Sequence, residues 1–156
     1  MSSSAHLPEG YHSVTPYLVV NGAERAIDYY RQAFGAEEVL RLTMPGGKLA
    51  HAEIKIGDSR IMLADEFPEW DARGPLTIGG TSVSLMIYVP DCDAVYARAI
   101  AAGATPLMPV QDQFYGDRSG SLKDPFGHKW HISTQREKLS QAEIQRRATR
   151  MFSAEG

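Results

Sequence analysis

Asp124-Pro125-Phe126-Gly127-His128-Lys129-Trp130-His131-Ile132-Ser133-Thr134 is the stretch from which the fold can be read. Pro125 presets φ for a turn, and Gly127 supplies the positive φ that closes one. Beyond the turn, Lys129, His131 and Ser133 alternate with the apolar Trp130 and Ile132. That period of two is the mark of a half-buried strand, so the spacing predicts a strand over 129–134 with His131 facing away from the core.

Working back from this turn, short strands are expected near 119–123 and 106–110. Before them a helix is expected over about 92–102, with Val95, Ala99 and Ile100 as its apolar side and Gly103 as its stop. A strand over 82–89 precedes the helix, placing Val83, Leu85, Ile87 and Val89 on one face and Ser84, Met86 and Tyr88 on the other. The order is β-α-β-β-β.

The same order occurs upstream. Residues 13–20 read as a strand, with Pro16 at its edge or start because proline cannot donate to a ladder. Asn21-Gly22 breaks it, and a helix follows over about 23–33, with Ala26, Ile27, Tyr30 and Phe34 on one face and Gly35 as its stop. Strands over 38–43, 49–56 and 60–65 follow, separated by Pro45-Gly46-Gly47 and Gly57-Asp58. In 49–56, Leu49, His51, Glu53 and Lys55 share one face and Ala50, Ala52, Ile54 and Ile56 the other. Val20 answers Val89, Gly35 answers Gly103 and Gly57 answers Gly127, offsets of 69, 68 and 70 residues. Three landmarks in order at a near-constant offset indicate an internal duplication.

The expected organisation is a flexible tail over 1–12, module one over 13–65, a linker over 66–81, module two over 82–134 and a helical extension over 135–156. The linker carries Phe67 and Trp70 and exceeds an ordinary connection, which suggests a lid or spacer. In the extension, Ser140 and Glu143 have the spacing of a capping box, flanked by Leu139 and Ile144 as a staple. Ile144, Ala148, Met151 and Phe152 form an apolar stripe, with Arg146, Arg147 and Arg150 expected to face out. So short a helix is marginal alone and must dock on this domain or on a partner.

Composition narrows the functional classes. The chain has 156 residues, 43% hydrophobic and 22% charged, with a formal net charge of −3 and a pI near 5.9. These values suit a globular protein and show no basic stripe for nucleic acid. No stretch is long and apolar enough to span a membrane, and the first ten residues lack the pattern of a signal peptide. The single cysteine, Cys92, excludes an internal disulfide and makes the cytoplasm the expected compartment. Asp91 and Asp93 beside it oppose thiolate formation, so Cys92 is read as non-catalytic. No phosphate-binding or dinucleotide fingerprint is present.

Two β-α-β-β-β modules in this length resemble the vicinal oxygen chelate superfamily of glyoxalase, bleomycin-resistance and extradiol dioxygenase proteins. The closest likeness is to its PhnB-like branch. The residues that carry it are Thr15-Pro16-Tyr17-Leu18, Ala26-Ile27-Asp28-Tyr29-Tyr30, Phe34-Gly35-Ala36, His51-Ala52-Glu53-Ile54, Gly57-Asp58, Asp124 to His131 and the Leu139-Ser140 helix start. The resemblance implies an α+β fold whose two tandem βαβββ modules form a U-shaped mixed-sheet groove, with helices outside. It places a ligand pocket against Thr15, Tyr17, His51, Glu53, Met62, Ser84, Met86 and His131. Tyr115 and Arg118 stand in a loop similar to one at the mouth of the family's groove. Arg118 could hold a carboxylate or phosphate through its paired N–H groups, or could serve an intramolecular ion pair.

Metal-dependent members of the superfamily carry one His or Glu ligand on each of four strands. The matching positions here are Thr15, Met62, Ser84 and His131, of which only His131 is a good ligand. The leading expectation is a small-molecule-binding homodimer without a metal, of the bleomycin-resistance type. The alternative is a metal-dependent lyase, isomerase or dioxygenase with a displaced site on His51, Glu53 and His131. Glu53 could equally pair with Arg60 or Lys55. A third possibility is a non-enzymatic interaction module that offers the C-terminal helix to a partner.

Overall fold

In the computed structural model, residues 5–154 are described, so the ends of the expected tail and extension lie outside the described residues. Among the described residues, thirteen elements fall into two units that divide between Ser82 and Val83. Unit one contains β1 (Tyr17–Val20), α1 (Ala23–Phe34), β2 (Glu37–Thr43), β3 (Leu49–Ile56) and β4 (Ser59–Asp65). A 3-10 turn at Pro68–Trp70 and α2 (Pro75–Ile78) follow. Unit two contains β5 (Ser84–Tyr88), α3 (Cys92–Ala101), β6 (Thr105–Asp112), β7 (Asp117–Lys123), β8 (Lys129–Gln135) and α4 (Gln141–Ala154). No helix among the described residues is long and apolar enough to cross a membrane.

The sheets have the same topology. In unit one the strand order is β1-β4-β3-β2, and in unit two it is β5-β8-β7-β6. The first and last strands of each pair in parallel, with Tyr17 opposite Met62 and Met86 opposite His131. Both members of the second pair stand 69 residues beyond those of the first, so the duplication extends to the register of the ladder.

Each sheet buries one face under its helix. In unit one Leu18, Val20, Ala52, Ile54, Ile61 and Leu63 are buried along with Ala26, Ile27 and Tyr30 of α1. Tyr30 stacks on Phe34 and meets Tyr29 edge-on. The helix ends as expected at Gly35, whose φ is 70° and whose N–H donates to Arg31 O, while Ala36 N donates to Tyr30 O. In unit two Trp130, Ile132, Leu122, Val95, Ala99 and Cys92 are buried, and Leu85 and Ile87 half-buried. Gly120 lets α3 approach, since a Cβ there would lie 3.0 Å from Tyr96 Cε2 and 2.8 Å from Val110 Cγ2.

Two buried carboxylates tie the strand ends together. Asp65 Oδ1 accepts from Gly22 N and Ala23 N at the start of α1, and its Oδ2 accepts from Leu49 N at the start of β3. In the second module the matching place, 69 residues on, is held by Thr134, whose hydroxyl accepts from Cys92 N and donates to Val89 O. Asp124 organises the stretch quoted at the outset. Its Oδ1 accepts from Phe126 N and His128 N, and its Oδ2 accepts from the Trp130 indole at 2.8 Å. Gly127 has the expected positive φ, 91°.

Several expectations need correction. The first strand begins at Tyr17 rather than residue 13, because Thr15 lies outside the ladder with its hydroxyl on His12 O. The 66–81 stretch is not bare loop, since Pro68 and Pro75 each start a short helical turn. Arg147 does not face out on α4. It is half-buried and bonds Glu137 and Phe114 O, while Met151 and Phe152 are exposed. Ser140 caps α4 as its spacing implies, accepting from Glu143 N at 3.1 Å.

Candidate functional site

The face of the first sheet turned away from α1 carries a continuous chain of polar contacts. The β3 pleat puts His51 and Glu53 on this face, and β1 puts Tyr17 beside them. His51 Nε2 lies 2.7 Å from Glu53 Oε2, and His51 Nδ1 lies 2.8 Å from the Tyr17 hydroxyl. The other Glu53 oxygen, Oε1, accepts from the Tyr11 hydroxyl. Leu42 and Leu40 of β2 stand opposite His51 and Glu53, and Met62 stands opposite both Tyr17 and Glu53. Leu40, Leu42 and Tyr17 are exposed. Polar atoms therefore converge within an accessible apolar surround.

Charge within the network is fixed by its surroundings. Burial alone would raise the Glu53 pKa, but hydrogen bonds from Tyr11 and His51, with the nearby Arg60 charge, hold it below the usual carboxylate range. The Tyr11 phenol is pushed up to about 12, first by burial and then by its bond to Glu53. Burial and the Glu53 charge also raise Tyr17, which keeps it a neutral phenol. Arg60 lies 5.6 Å from the Tyr11 ring centre and supplies a compensating positive charge. Glu53 is thus engaged by Tyr11 and His51 rather than by the ion pairs with Arg60 or Lys55 that its position suggested.

A raised tyrosine pKa has a defined sign for stability. The Tyr11 contribution is fully present below the ordinary phenol value of 10.0 and is lost as pH rises through about 12. Wild type is therefore expected to lose more stability than Tyr11→Phe between those limits, read as denaturation midpoints across the alkaline range. Equal slopes would show that the phenol does not titrate differently in the fold.

The corresponding face of the second sheet is chemically different. His131 Nε2 lies 3.2 Å from Ser84 Oγ, next to exposed Met86 and Tyr88. Where β3 has His51 and Glu53, β7 has Ser119 and Ser121, both buried, and Ser119 Oγ lies 2.7 Å from Ser133 Oγ. Tyr88 donates to Asp117 at 3.3 Å. Burial and the Asp117 charge raise both Tyr88 and Tyr115.

Arg118 takes the intramolecular alternative. It binds Asp93 through two nitrogens at 2.7 and 3.0 Å and Asp112 at 3.2 Å, and these bonds raise its pKa further. A cavity of about 410 Å³ next to it has ion-paired walls, including Asp112, Arg118 and Glu137, with Glu137 held by Arg147. Arg118 therefore forms part of the cavity wall with its charge already matched.

The metal positions implied by resemblance supply a threonine, a methionine, a serine and one histidine. Hydroxyl and thioether groups do not make the His/Glu set that zinc, nickel or iron needs. Among the described residues no three His, Cys, Asp or Glu side chains form a metal-holding group. Sequence reading missed Tyr11, because it fell in the expected flexible tail over 1–12, where no periodic pattern marks it, yet its hydroxyl is bonded to Glu53. It also passed over Leu40 and Leu42, which stand opposite Glu53 and His51 on the same face.

A model of the family described as Glyoxalase/Bleomycin resistance protein/Dioxygenase superfamily matches residues 10–132. An uncharacterised protein of Mycobacterium bovis is 40% identical over 136 residues, covering 85% of this chain and 90% of its own length. Among solved structures, the PhnB protein from Bacillus cereus is similar with a TM-score of 0.61 at 20% identity, covering 79% of this chain and 99% of that one. The genomically encoded fosfomycin resistance protein FosX from Listeria monocytogenes has a TM-score of 0.61 at 16% identity, covering 85% and 97%. At these identities the structural likenesses concern the fold.

Proposed function

We propose that this chain, which belongs to the Glyoxalase/Bleomycin resistance protein/Dioxygenase superfamily, binds a small organic molecule on the sheet faces turned away from its helices, without a resident metal. The observation that carries this reading is the Tyr11–Glu53–His51–Tyr17 network among exposed Leu40, Leu42 and Tyr17. A few fixed polar groups in an apolar surround are what a small-ligand site requires: contact area comes from the apolar side chains and orientation from the polar ones. His131, Ser84 and Met86 provide a second, less polar set. Sequestration of a ligand needs no more than this. The protein works as a homodimer in the cytoplasm. Exposed Trp70, Leu76 and Ile78 on the connection and Met151 and Phe152 on α4 support self-association, and a single buried cysteine suits a reducing compartment.

Titration with a panel of small aromatic and heterocyclic compounds, followed by amide and methyl resonances, tests the reading. Shifts are expected at Tyr17, Leu40, Leu42, His51 and Met62, or at Ser84, Met86 and His131. Binding confined to other surfaces would refute it. Elemental analysis after chelator-free purification is expected to give far less than one metal per chain. Stoichiometric zinc, nickel or iron would overturn the metal-free part, and sedimentation at the mass of one chain would overturn the dimer.

A further inference from the structure

The contacts around His51 determine which atoms can give and take protons. An ionised carboxylate only accepts hydrogen bonds, so the imidazole nitrogen facing Glu53, Nε2, carries hydrogen. In the neutral ring Nδ1 is then the acceptor, and Tyr17 donates its hydroxyl hydrogen to it across 2.8 Å. Tyr11 donates to the second carboxylate oxygen, which holds Glu53 in place and leaves it no need of another donor. With its hydrogen committed to His51, the Tyr17 oxygen offers lone pairs to anything placed against it. Tyr17 is 50% exposed, with Met62 across the ladder and Leu42 opposite its partner His51. No carboxylate is required to leave its partner, and no charged group must be uncovered.

We infer that Tyr17, His51 and Glu53 form a proton relay that accepts a proton from a weakly acidic hydroxyl, phenolic or enolic, of a flat organic ligand on this face. This rests on the proposed ligand-binding reading and assigns chemistry to that same face. In the step, the ligand O–H bond breaks and its electron pair stays on the ligand oxygen. That proton joins the Tyr17 oxygen while the tyrosine's own proton passes to His51 Nδ1. The result is a ligand oxyanion and an imidazolium held by the Glu53 carboxylate, with Tyr17 neutral before and after. No phenolate of Tyr17 accumulates, which matters because burial and the nearby carboxylate disfavour it. Tyr17 is the group that touches the ligand, and His51 receives its proton. Glu53 and Tyr11 act as positioning residues: Glu53 sets the tautomer and Tyr11 sets Glu53. Unit two has serines at the positions matching His51 and Glu53, so this chemistry belongs to unit one alone.

4-Nitrophenol is a suitable probe, because its phenolate absorbs far from its neutral form. Just below the ionisation midpoint of the free compound, the bound probe is expected to show the phenolate band with wild type. His51→Gln is expected to lower the ratio of bound phenolate to bound phenol about tenfold, the change that one pKa unit produces. Glu53→Gln and Tyr17→Phe should lower it in the same direction, and they decide the matter if His51→Gln does not fold. Nitrogen-15 spectra of the free protein are expected to show His51 protonated at Nε2 and accepting at Nδ1, a pattern that Glu53→Gln disturbs. A purely structural hydrogen bond would not move the probe's absorbance. The relay is overturned by a bound probe that stays neutral, by equal ionisation with His51→Gln, or by a proton on Nδ1 in the neutral ring. Probe shifts only near Met86 and His131 would overturn the relay and leave the binding proposal standing. No shift on either face from the probe or from the compound panel would overturn both.

Discussion

Replacing Asp124 by alanine is expected to destabilise the protein by about 3–5 kcal/mol, the cost of stripping several hydrogen bonds from a buried charged group. Asp124 is only 3% exposed, and its carboxylate accepts from backbone N–H groups of the turn at Phe126 and His128 and from the Trp130 indole. Alanine would leave those donors without this acceptor, and the indole sits in a core where Trp130 is 1% exposed. Asparagine is a sharper probe. Its oxygen can keep the two backbone bonds, but its NH₂ would then face the indole N–H, donor against donor. Asp124→Asn is therefore expected to lose about half as much as alanine and to broaden the near-ultraviolet tryptophan signal. Urea unfolding measures both, and a loss below about 1 kcal/mol for alanine would show that the turn forms without this carboxylate.

Asp65→Ala is expected to cost about 2–4 kcal/mol, which combines the loss of a helix-start acceptor with that of a buried bond to a strand. Asp65 is 8% exposed and holds Gly22 N and Ala23 N with one oxygen and Leu49 N with the other. The carboxylate also lies at the N-terminal end of α1, where negative charge is favoured. Amide exchange localises the effect: Gly22, Ala23 and Leu49 should lose protection before amides in the middle of β3. Thr134 fills the corresponding role for α3 with a neutral hydroxyl, so Thr134→Ala should cost roughly 1 kcal/mol. If Thr134→Ala cost more than Asp65→Ala, the carboxylate would not be the stronger tie.

Much of this architecture was legible in the chain itself. Gly35 and Gly127 adopt the positive φ expected of them, and alternation correctly put Trp130 and Ile132 inward. These features are local. They depend on the steric freedom of one residue or on the side-chain period of a strand. The repeat was also visible, because a duplication leaves landmarks at a nearly constant spacing whatever their contacts. The 69-residue offset then reappears in the ladder, with Tyr17 opposite Met62 and Met86 opposite His131.

The partners of individual side chains were not legible. His51 and Glu53 could be assigned to one face, but not to each other, since residues two apart on a strand share a direction without having to touch. Tyr11 had no pattern to mark it, and its bond to Glu53 joins residues 42 positions apart. Arg118 carried two readings until Asp93, on the helix, and Asp112, on the neighbouring strand, were brought to it. By itself the sequence determined the order of elements within each βαβββ module, the repeat, the inward direction of residues such as Trp130 and Ile132, and the poverty of metal ligands at four positions. Only the tertiary structure decided which charges are matched and that Tyr11, Tyr17, His51 and Glu53 meet in one network. Periodicity records the backbone's local geometry, whereas a hydrogen-bond network depends on distances between atoms that only the folded chain brings together.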